Sequence, residues 1–366
     1  MASHVPFLAV RPDEQFSDDV VKTRDFASSS SSLLDRINAD ANAMDAPALP
    51  RLPPATRLPS WVRFPMVVVI SLTLSAFLNT LIADFTGYEL AAVSREVTEQ
   101  GQIAALMGWK LVELGTAWAA GYDWRDLSAL AILSNLPFYF LLTTFYGIDY
   151  SAAIISLTID VATIGIPFAL LRPLIRAHAP GSAPNQQVAQ DRSVGVAVGL
   201  LGASIYAVVI YGSLYTWLPV YLIINFDGLR SLDGAHNASV PMLIGSFLPL
   251  GWATVQFLFT PVIGSKGNPG LTDPEIYPEK APFNPETATL IDTLAFNLGY
   301  SDGFSKRAEV LVKRTAVLVA CSAANTFTRV LLTVDGSEPV GAAGWASVWA
   351  VAALLTSVAY GYVANE

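Results

Sequence analysis

The chain has 366 residues, of which more than half are hydrophobic and only 14% are charged. A soluble globular domain carries about 25% charged residues, so this composition excludes an ordinary soluble domain and indicates an integral membrane protein. The net charge of -9 gives no sign of the basic surface that nucleic-acid-binding proteins need. We therefore expect a lipid bilayer, and no nucleic acid, as the partner of this chain.

The first 60 residues are polar and have no pattern that could form a core. Serines occupy positions 28–32, and prolines recur between positions 47 and 59. Such a segment cannot bury enough apolar surface to fold, so we predict a disordered cytosolic tail and a proline-rich linker over residues 1–60. Residues 61–366 are predicted to form one transmembrane helical bundle, an all-α fold.

Eight apolar segments follow the tail, each long enough to cross a bilayer core of about 30 Å as a helix. The fifth and sixth contain Pro219 and Pro249. We expect a kink or a break at each, because proline removes a backbone donor. The predicted spans are Phe64–Ala83, Gly101–Tyr122, Leu127–Tyr146, Tyr150–Leu171, Val194–Ile224, Val240–Ile263, Thr315–Val334 and Gly344–Val363.

The charges of the connecting loops predict the orientation of the bundle. Basic residues are concentrated before the first span, in residues 172–192 and in residues 306–314, whereas the opposite loops are predominantly acidic. The positive-inside rule makes the basic side cytosolic, so both termini should be cytosolic, in a membrane that we expect to be the endoplasmic reticulum. The sequon at Asn237 would then be luminal and open to glycosylation, although such triplets also occur by chance.

One long loop, residues 264–314, separates spans six and seven. Within it, Asn284 and Pro285 are suited to begin a helix and Gly299 to end one. Leucines and an isoleucine form a stripe on one face between these positions. We predict an amphipathic helix on the cytosolic membrane surface, which would serve as an anchor or as a lid over a cavity.

The fourth span carries Asp160 near its middle, where an ionised acid costs a few kcal/mol. We predict that Asp160 lines a polar cavity. Desolvation favours the neutral acid, which could donate a proton to a substrate. The alternative is a structural hydrogen bond or an ion pair with Arg329 in span seven.

Glu113 in the second span is the rival acid. Lys110 lies one turn before it, so the two residues could form an intrahelical ion pair. Trp109 lies on the same helical face, and its indole ring could stabilise a substrate cation. A paired structural charge, or an interfacial helix in place of a span, would explain the same residues.

Further substrate-binding candidates lie in spans three, five and seven. Arg329 either extends to the interface or pairs with an acid or an anionic substrate group. Tyr139 lies in register with Asn135, Thr143 and Tyr146 along one face of span three. Tyr211 and Tyr215, one turn apart, are expected to face a cavity.

No metal or cofactor site is predicted. The spans contain no paired-aspartate motif of the kind that holds magnesium for diphosphate chemistry, and the chain lacks a Walker loop, a GxSxG motif and an HExxH motif. The histidines, His4, His178 and His236, are scattered and do not have zinc-ligand spacing.

A resemblance to a known family rests on two acids in an eight-span chain that is rich in aromatic residues. These are Asp160 in SLTIDVATIG and Glu113 in GWKLVELGTAW. Over roughly residues 64–363 the chain resembles, in architecture, the fungal membrane-bound terpene cyclases of meroterpenoid biosynthesis, as in the ascochlorin and ascofuranone pathways. The resemblance implies that a buried acid protonates the terminal epoxide of a hydrophobic prenylated substrate and starts a cation cyclisation without metal or cofactor.

Two other functions remain open. A transporter or channel would use Asp160 and Arg329 as a proton or ion relay. A non-catalytic membrane scaffold would use the tail to bind a partner.

Overall fold

The computed structural model describes residues 59–91, 93, 100–175, 177–179, 191–265, 293 and 306–365. The described chain is helical, without a strand, and has one isolated β-bridge between Phe226 and Ser337. The predicted tail and, apart from residue 293, the predicted amphipathic helix lie outside the described residues. Those two expectations stay predictions.

The described residues form twelve α-helices and one π-helical segment. In chain order they are α1 Ser60–Ala91, α2 Gln100–Ala119, α3 Trp124–Phe145, α4 Tyr150–Leu171, α5 Arg192–Tyr215, α6 Leu218–Asn225, α7 Asp233–His236, α8 Val240–Ser246, α9 Leu248–Thr254, the π segment Val255–Phe259, α10 Thr260–Ile263, α11 Lys306–Thr333 and α12 Pro339–Asn365.

Six of the described helices are long and apolar enough to cross a membrane, namely α1, α3, α4, α5, α11 and α12. The bent pair formed by α8 and the segment Leu248–Ile263 would make a seventh if the two count as one span. α2, where we predict the second span, is not among them, because Lys110 and Glu113 lower its hydropathy. The membrane class is therefore supported, and the number of eight spans remains a prediction.

Both predicted proline breaks are confirmed. α5 ends at Tyr215, and Pro219 lies in the first turn of α6. α8 and α9 meet at a bend of 58°, and Pro249 lies in the first turn of α9. The first turn tolerates proline because its backbone amide has no intrahelical acceptor there.

The loops gather at two ends of the bundle. At the first, Asp126 at the start of α3 contacts Arg314 near the start of α11, and Asp123 contacts His178 after α4. We call this the His178 end. Each of these segments belongs to the side that the charge pattern groups as cytosolic.

The opposite end is joined by backbone hydrogen bonds. The amide of Asp227 donates to the carbonyl of Gly336 at 2.8 Å, and the amide of Asp335 donates to the carbonyl of Val93 at 3.1 Å. We call this the Gly336 end. The loops at this end are those that the charge pattern predicts to be non-cytosolic.

Two glycines let α5 and α9 approach closely. A β-carbon on Gly251 would collide with the backbone carbonyl of Gly199, so α9 cannot carry a side chain at this crossing, whereas a β-carbon on Gly199 would be at ordinary van der Waals distance from α9. Small residues at such crossings are typical of membrane bundles, where close backbone contact replaces hydrophobic association. This crossing fixes the position of α9 against α5 near the His178 end.

Candidate functional site

A polar network connects α3, α4 and α11 within the bundle. Arg329 donates to Oδ2 of Asp160 at 2.5 Å, and the hydroxyl of Tyr139 donates to the same oxygen at 2.8 Å. Arg329 also donates to Oδ1 of Asn135 at 2.5 Å. The contact expected of Asp160 as a structural partner of Arg329 is thus present, and Arg329 does not extend to the interface.

The same network reaches α2. Asn325 donates to Oδ1 of Asn135 at 2.9 Å, and the indole of Trp109 donates to Oδ1 of Asn325 at 2.9 Å. The chain of hydrogen bonds runs without interruption from Trp109 through two amides to Arg329. Four residues that we predict from sequence therefore belong to one network: Asp160, Arg329, Tyr139 and Trp109.

The spacing of these residues explains how the network forms. Asn135 and Tyr139 are four residues apart on α3, and Asn325 and Arg329 are four residues apart on α11. Residues at this spacing share a helical face, so each helix presents one polar stripe to the other.

Proline and aromatic rings complete the surroundings of the network. Pro137 has no amide to donate to the carbonyl of Leu133, and the hydroxyl of Ser322 on α11 donates to that carbonyl at 3.3 Å. The guanidinium of Arg329 lies 4.4 Å from the ring centroid of Phe138, a cation–π distance. α3 and α11 are thus joined by Ser322 as well as by Arg329 itself.

The two charged residues of the network, Asp160 and Arg329, compensate each other's charge. Asp160 and Arg329 form an ion pair in which both side chains are mostly buried, with 24% and 20% of their surfaces exposed. An ion pair requires a charged carboxylate, whereas proton donation requires a neutral acid. The contact of Asp160 is therefore the ion pair expected of a structural residue, and its role as a proton donor stays a prediction.

Glu113 is also paired. Nζ of Lys110 lies 3.2 Å from its Oε2, which confirms the expected intrahelical ion pair. The indole of Trp109 is directed to Asn325 and so belongs to the Asp160 network. Glu113 thus has a partner on its own helix, and its role as an acid stays a prediction.

The two tyrosines of α5 differ from each other in exposure. The rings of Tyr211 and Tyr215 stack at a centroid distance of 6.0 Å. Tyr215 has 80% of its surface exposed, whereas Tyr211 is partly buried and packs against the core, so the predicted contact of this pair with a cavity stays a prediction. Two tyrosines one turn apart share a face, but sequence spacing does not tell whether that face points inward.

A second buried polar cluster lies at the His178 end, and sequence analysis missed it. Asp123 caps α3 by accepting from the amide of Asp126 at 2.9 Å. Its other oxygen accepts from the amide of Ile175 at 3.1 Å and lies 2.7 Å from Nδ1 of His178. Burial alone would raise the pKa of Asp123, but these hydrogen bonds and the charge of His178 outweigh it and hold the pKa below its usual value.

Asp126 and Arg314 form the strongest ion pair in this cluster. The guanidinium contacts both carboxylate oxygens, at 2.7 and 2.9 Å, and both side chains are buried. Arg314 also donates to the carbonyl of Phe257 at 2.8 Å. That carbonyl is available because Pro261, four residues later, has no amide. Arg314, which we counted among the basic loop residues, is therefore an interior residue.

The cluster contains the atoms of a conceivable metal site. Oxygens of Asp123 and Asp126 and a nitrogen of His178 lie within 4.8 Å of one another. However, Arg314 already engages both oxygens of Asp126, and a guanidinium in that position repels a cation. The residues fit a closed ion-pair cluster better than a metal centre.

One sequence signal could have found part of this cluster. Asp123 and Asp126 have the spacing of an N-cap residue and its N3 partner, just after Gly121 and before an apolar run. Nothing comparable marks His178, which is 55 residues from Asp123 and lies in a connecting segment.

Comparison with known proteins gives one family. Residues 191–362 match the C-terminal domain of bouquet formation protein 3, a little under half of the chain. The matched part begins at the N-cap of α5 and ends in α12, so it contains Arg314 and Arg329 but not Asp160 or His178. No curated protein and no solved structure matches the chain.

Proposed function

We propose that this chain is a non-catalytic membrane scaffold, with a role in bouquet formation as the name of the matched family suggests. The observation that carries the proposal is the ion pair between Asp160 and Arg329. It engages the strongest candidate for an acid catalyst in a contact that holds two helices together.

The other acids of the neighbouring helices support the same conclusion. α2, α3 and α4 each contain one acid, and each acid has a cationic partner: Glu113 has Lys110, Asp126 has Arg314 and Asp160 has Arg329. Removing one partner from a buried pair is strongly destabilising, so paired charges fix helix positions. A scaffold needs such fixed positions, whereas an acid catalyst needs a protonated carboxyl that faces its substrate.

The family similarity supports the proposal from a second direction. Residues 191–362 resemble the C-terminal domain of a protein named for bouquet formation. This domain would supply the membrane-embedded part of the scaffold. The polar residues 1–60 would then be the segment that binds a partner, as we predict from their composition.

The proposal includes a topology of eight crossings with both termini cytosolic, in the endoplasmic reticulum. It is supported by the two groups of loops and by α2, which begins seven residues after Val93 of the Gly336 end and ends four residues before Asp123 of the His178 end. Asn237 is exposed and follows α7 near the Gly336 end, which agrees with a luminal glycosylation site.

A terpene cyclase is the second candidate, and one observation favours it. Asp160 keeps about a quarter of its side-chain surface exposed and is bordered by polar and aromatic groups. A hydrophobic prenylated substrate that displaced Arg329 from Asp160 would meet an acid, a tyrosine hydroxyl and ring faces suited to a cation. Among the described residues, no additional contact favours the transporter alternative.

A feeding experiment separates the two candidates. The full chain is expressed in a heterologous host that is fed prenylated epoxides, beside Asp160→Asn and Glu113→Gln, and products are profiled by mass spectrometry. The scaffold proposal predicts no cyclised product beyond that of the empty host. A cyclised product that wild type forms and Asp160→Asn does not form would overturn it in favour of the cyclase.

A further inference from the structure

A cavity of about 680 Å³ lies at the His178 end between α5 and the helix that continues from α9 through the π segment into α10. Its apolar wall consists of Val196 and Leu200 from α5 and Leu248 and Trp252 from α9. All four side chains are exposed in the described structure. The wall is thus an open apolar surface on the outside of two candidate membrane helices.

The polar residues of the cavity lie at its outer end. α5 begins at Arg192, and Leu200 lies eight residues further, about 12 Å deeper along the helix axis. α9 runs in the opposite direction, so Leu248 is deep and Thr260 is near the His178 end. The cavity therefore changes from charged to apolar along the helix direction.

Two exposed arginines mark the boundary between these parts. Arg125 and Arg192 both line the cavity, and each lies in the first turn of a candidate membrane span. The ends of membrane spans lie at the level of the lipid headgroups. The positive charge is therefore at headgroup depth and the apolar wall at acyl-chain depth.

His178 borders the polar end of the cavity, but its ring is buried. Its side chain is only 1% exposed, and its Nδ1 lies 2.7 Å from Asp123, but Nε2 has no hydrogen-bond partner among the described residues. Buried polar atoms nearly always have a partner. Nε2 lies 4.0 Å from Oδ1 of Asp126, so the imidazole belongs to the buried cluster that borders the polar end of the cavity.

The one acid that lines the cavity does not cancel this charge. Asp191 caps α5, and its carboxylate accepts from the amide of Ser193 at 2.9 Å and from the hydroxyl of Ser193 at 2.7 Å. Its oxygen is thus directed to the helix terminus. Two guanidinium groups and one carboxylate give these three side chains a net charge of +1, which favours an anion and disfavours a metal ion.

We propose that this cavity binds one anionic phospholipid of the bilayer. The phosphate lies between Arg125 and Arg192, and one acyl chain follows the wall formed by α5 and α9. A small inorganic anion would satisfy the arginines but would leave the apolar wall uncovered. The proposal concerns a site distant from the Asp160 network and does not depend on the function proposed above.

Lipid counting by native mass spectrometry tests the proposal. The full chain in maltoside micelles is titrated with phosphatidylserine, with phosphatidylcholine or with inorganic phosphate. We expect one phosphatidylserine to be retained, phosphatidylcholine to bind at least tenfold more weakly, and phosphate not to compete. Arg125→Gln with Arg192→Gln should weaken the binding of phosphatidylserine about 10-fold to 30-fold.

Two further variants control the result. Val196→Trp fills the apolar wall at an exposed position and should abolish retention of the lipid without loss of fold. Lys313→Gln removes an exposed cation at the same end, one that does not line the cavity, and should leave binding unchanged. Equal retention of the two lipids, competition by free phosphate, or equal weakening by Lys313→Gln would each overturn the proposal.

Discussion

Replacing Arg314 by methionine should destabilise the bundle more than any other change to a single cation at the His178 end. The guanidinium contacts both oxygens of Asp126 and the carbonyl of Phe257, and it lies over the rings of Tyr122 and Phe257. Methionine is similar in length but offers none of these hydrogen bonds. The buried carboxylate of Asp126 then has no cation to compensate it.

The expected loss can be worked out from these contacts. Breaking a buried ion pair from one side costs about 3–5 kcal/mol, and a carbonyl that loses its donor costs about 1 kcal/mol more. Asp126 can take up a proton, which limits the loss, so we expect about 3 kcal/mol for Arg314→Met. Arg314→Lys keeps the charge but loses the two-point contact and the ring contacts, and should cost about 1–2 kcal/mol.

The assay is unfolding by dodecyl sulfate in mixed micelles, followed by tryptophan fluorescence. The matched control is Lys313→Met, because Lys313 is the neighbouring residue and 72% of its side-chain surface is exposed. Its exposed pair with Glu309 should contribute less than about 1 kcal/mol. A double variant, Asp126→Asn with Arg314→Met, should recover most of the lost stability. If Arg314→Met were as stable as Lys313→Met, the buried ion pair would not have the role inferred from its geometry.

Three other outcomes are expected. The pKa of Asp123 is lower in the folded state than in the unfolded state, so its ionised carboxylate stabilises the fold fully above the unfolded pKa of about 3.9. This stabilisation is lost as the pH falls through the folded-state pKa. The stability advantage of wild type over Asp123→Asn should therefore shrink below about pH 4 when the same unfolding assay is run as a pH series. Gly251→Ala should lose more than about 2 kcal/mol in that assay because its methyl group meets the backbone of α5, whereas Gly212→Ala has open space and should lose less than about 0.5 kcal/mol; equal effects would contradict the close crossing. In sealed microsomes of a Cys321→Ser background, a membrane-impermeant maleimide should label Lys313→Cys but not Asn237→Cys, and labelling of both or only of the latter would contradict the proposed orientation.

The fold could be predicted where it depends on local sequence. Apolar length predicted the six described helices that could cross a membrane, and Pro219 and Pro249 marked the breaks, because both signals lie within a few residues. α2 is the exception, since a charged pair lowers its hydropathy whether the helix crosses the membrane or lies at its surface. The π segment had no local signal.

The central network was partly predictable for a different reason. Asp160 and Arg329 each stand out within an apolar helix, and a charge at that depth requires a partner, so few pairings are available. The amides of Asn135 and Asn325 follow from helical spacing. The sequence could not tell whether the acid is charged or neutral, because that depends on a contact across 169 residues.

The His178 cluster could not be assembled from sequence. His178 lies in a connecting segment, where a histidine is usually solvated, and only the return of that segment over α3 buries it against Asp123. Arg314 belongs to a run of basic residues that look alike in the sequence. Arg314 nevertheless points into the bundle. Helix packing, which no local pattern encodes, determines both positions.

The central claim is that Asp160 is a structural partner of Arg329, and a double-mutant cycle tests it most directly. The unfolding free energies of wild type, Asp160→Asn, Arg329→Met and the double variant are measured in mixed micelles. Because the pair is partly exposed and lies in a membrane protein, we expect each single change to cost about 1–3 kcal/mol and the coupling to be about 1–2 kcal/mol, with stability restored in the double variant. An Asp160→Asn protein as stable as wild type, with additive effects in the double variant, would contradict the claim.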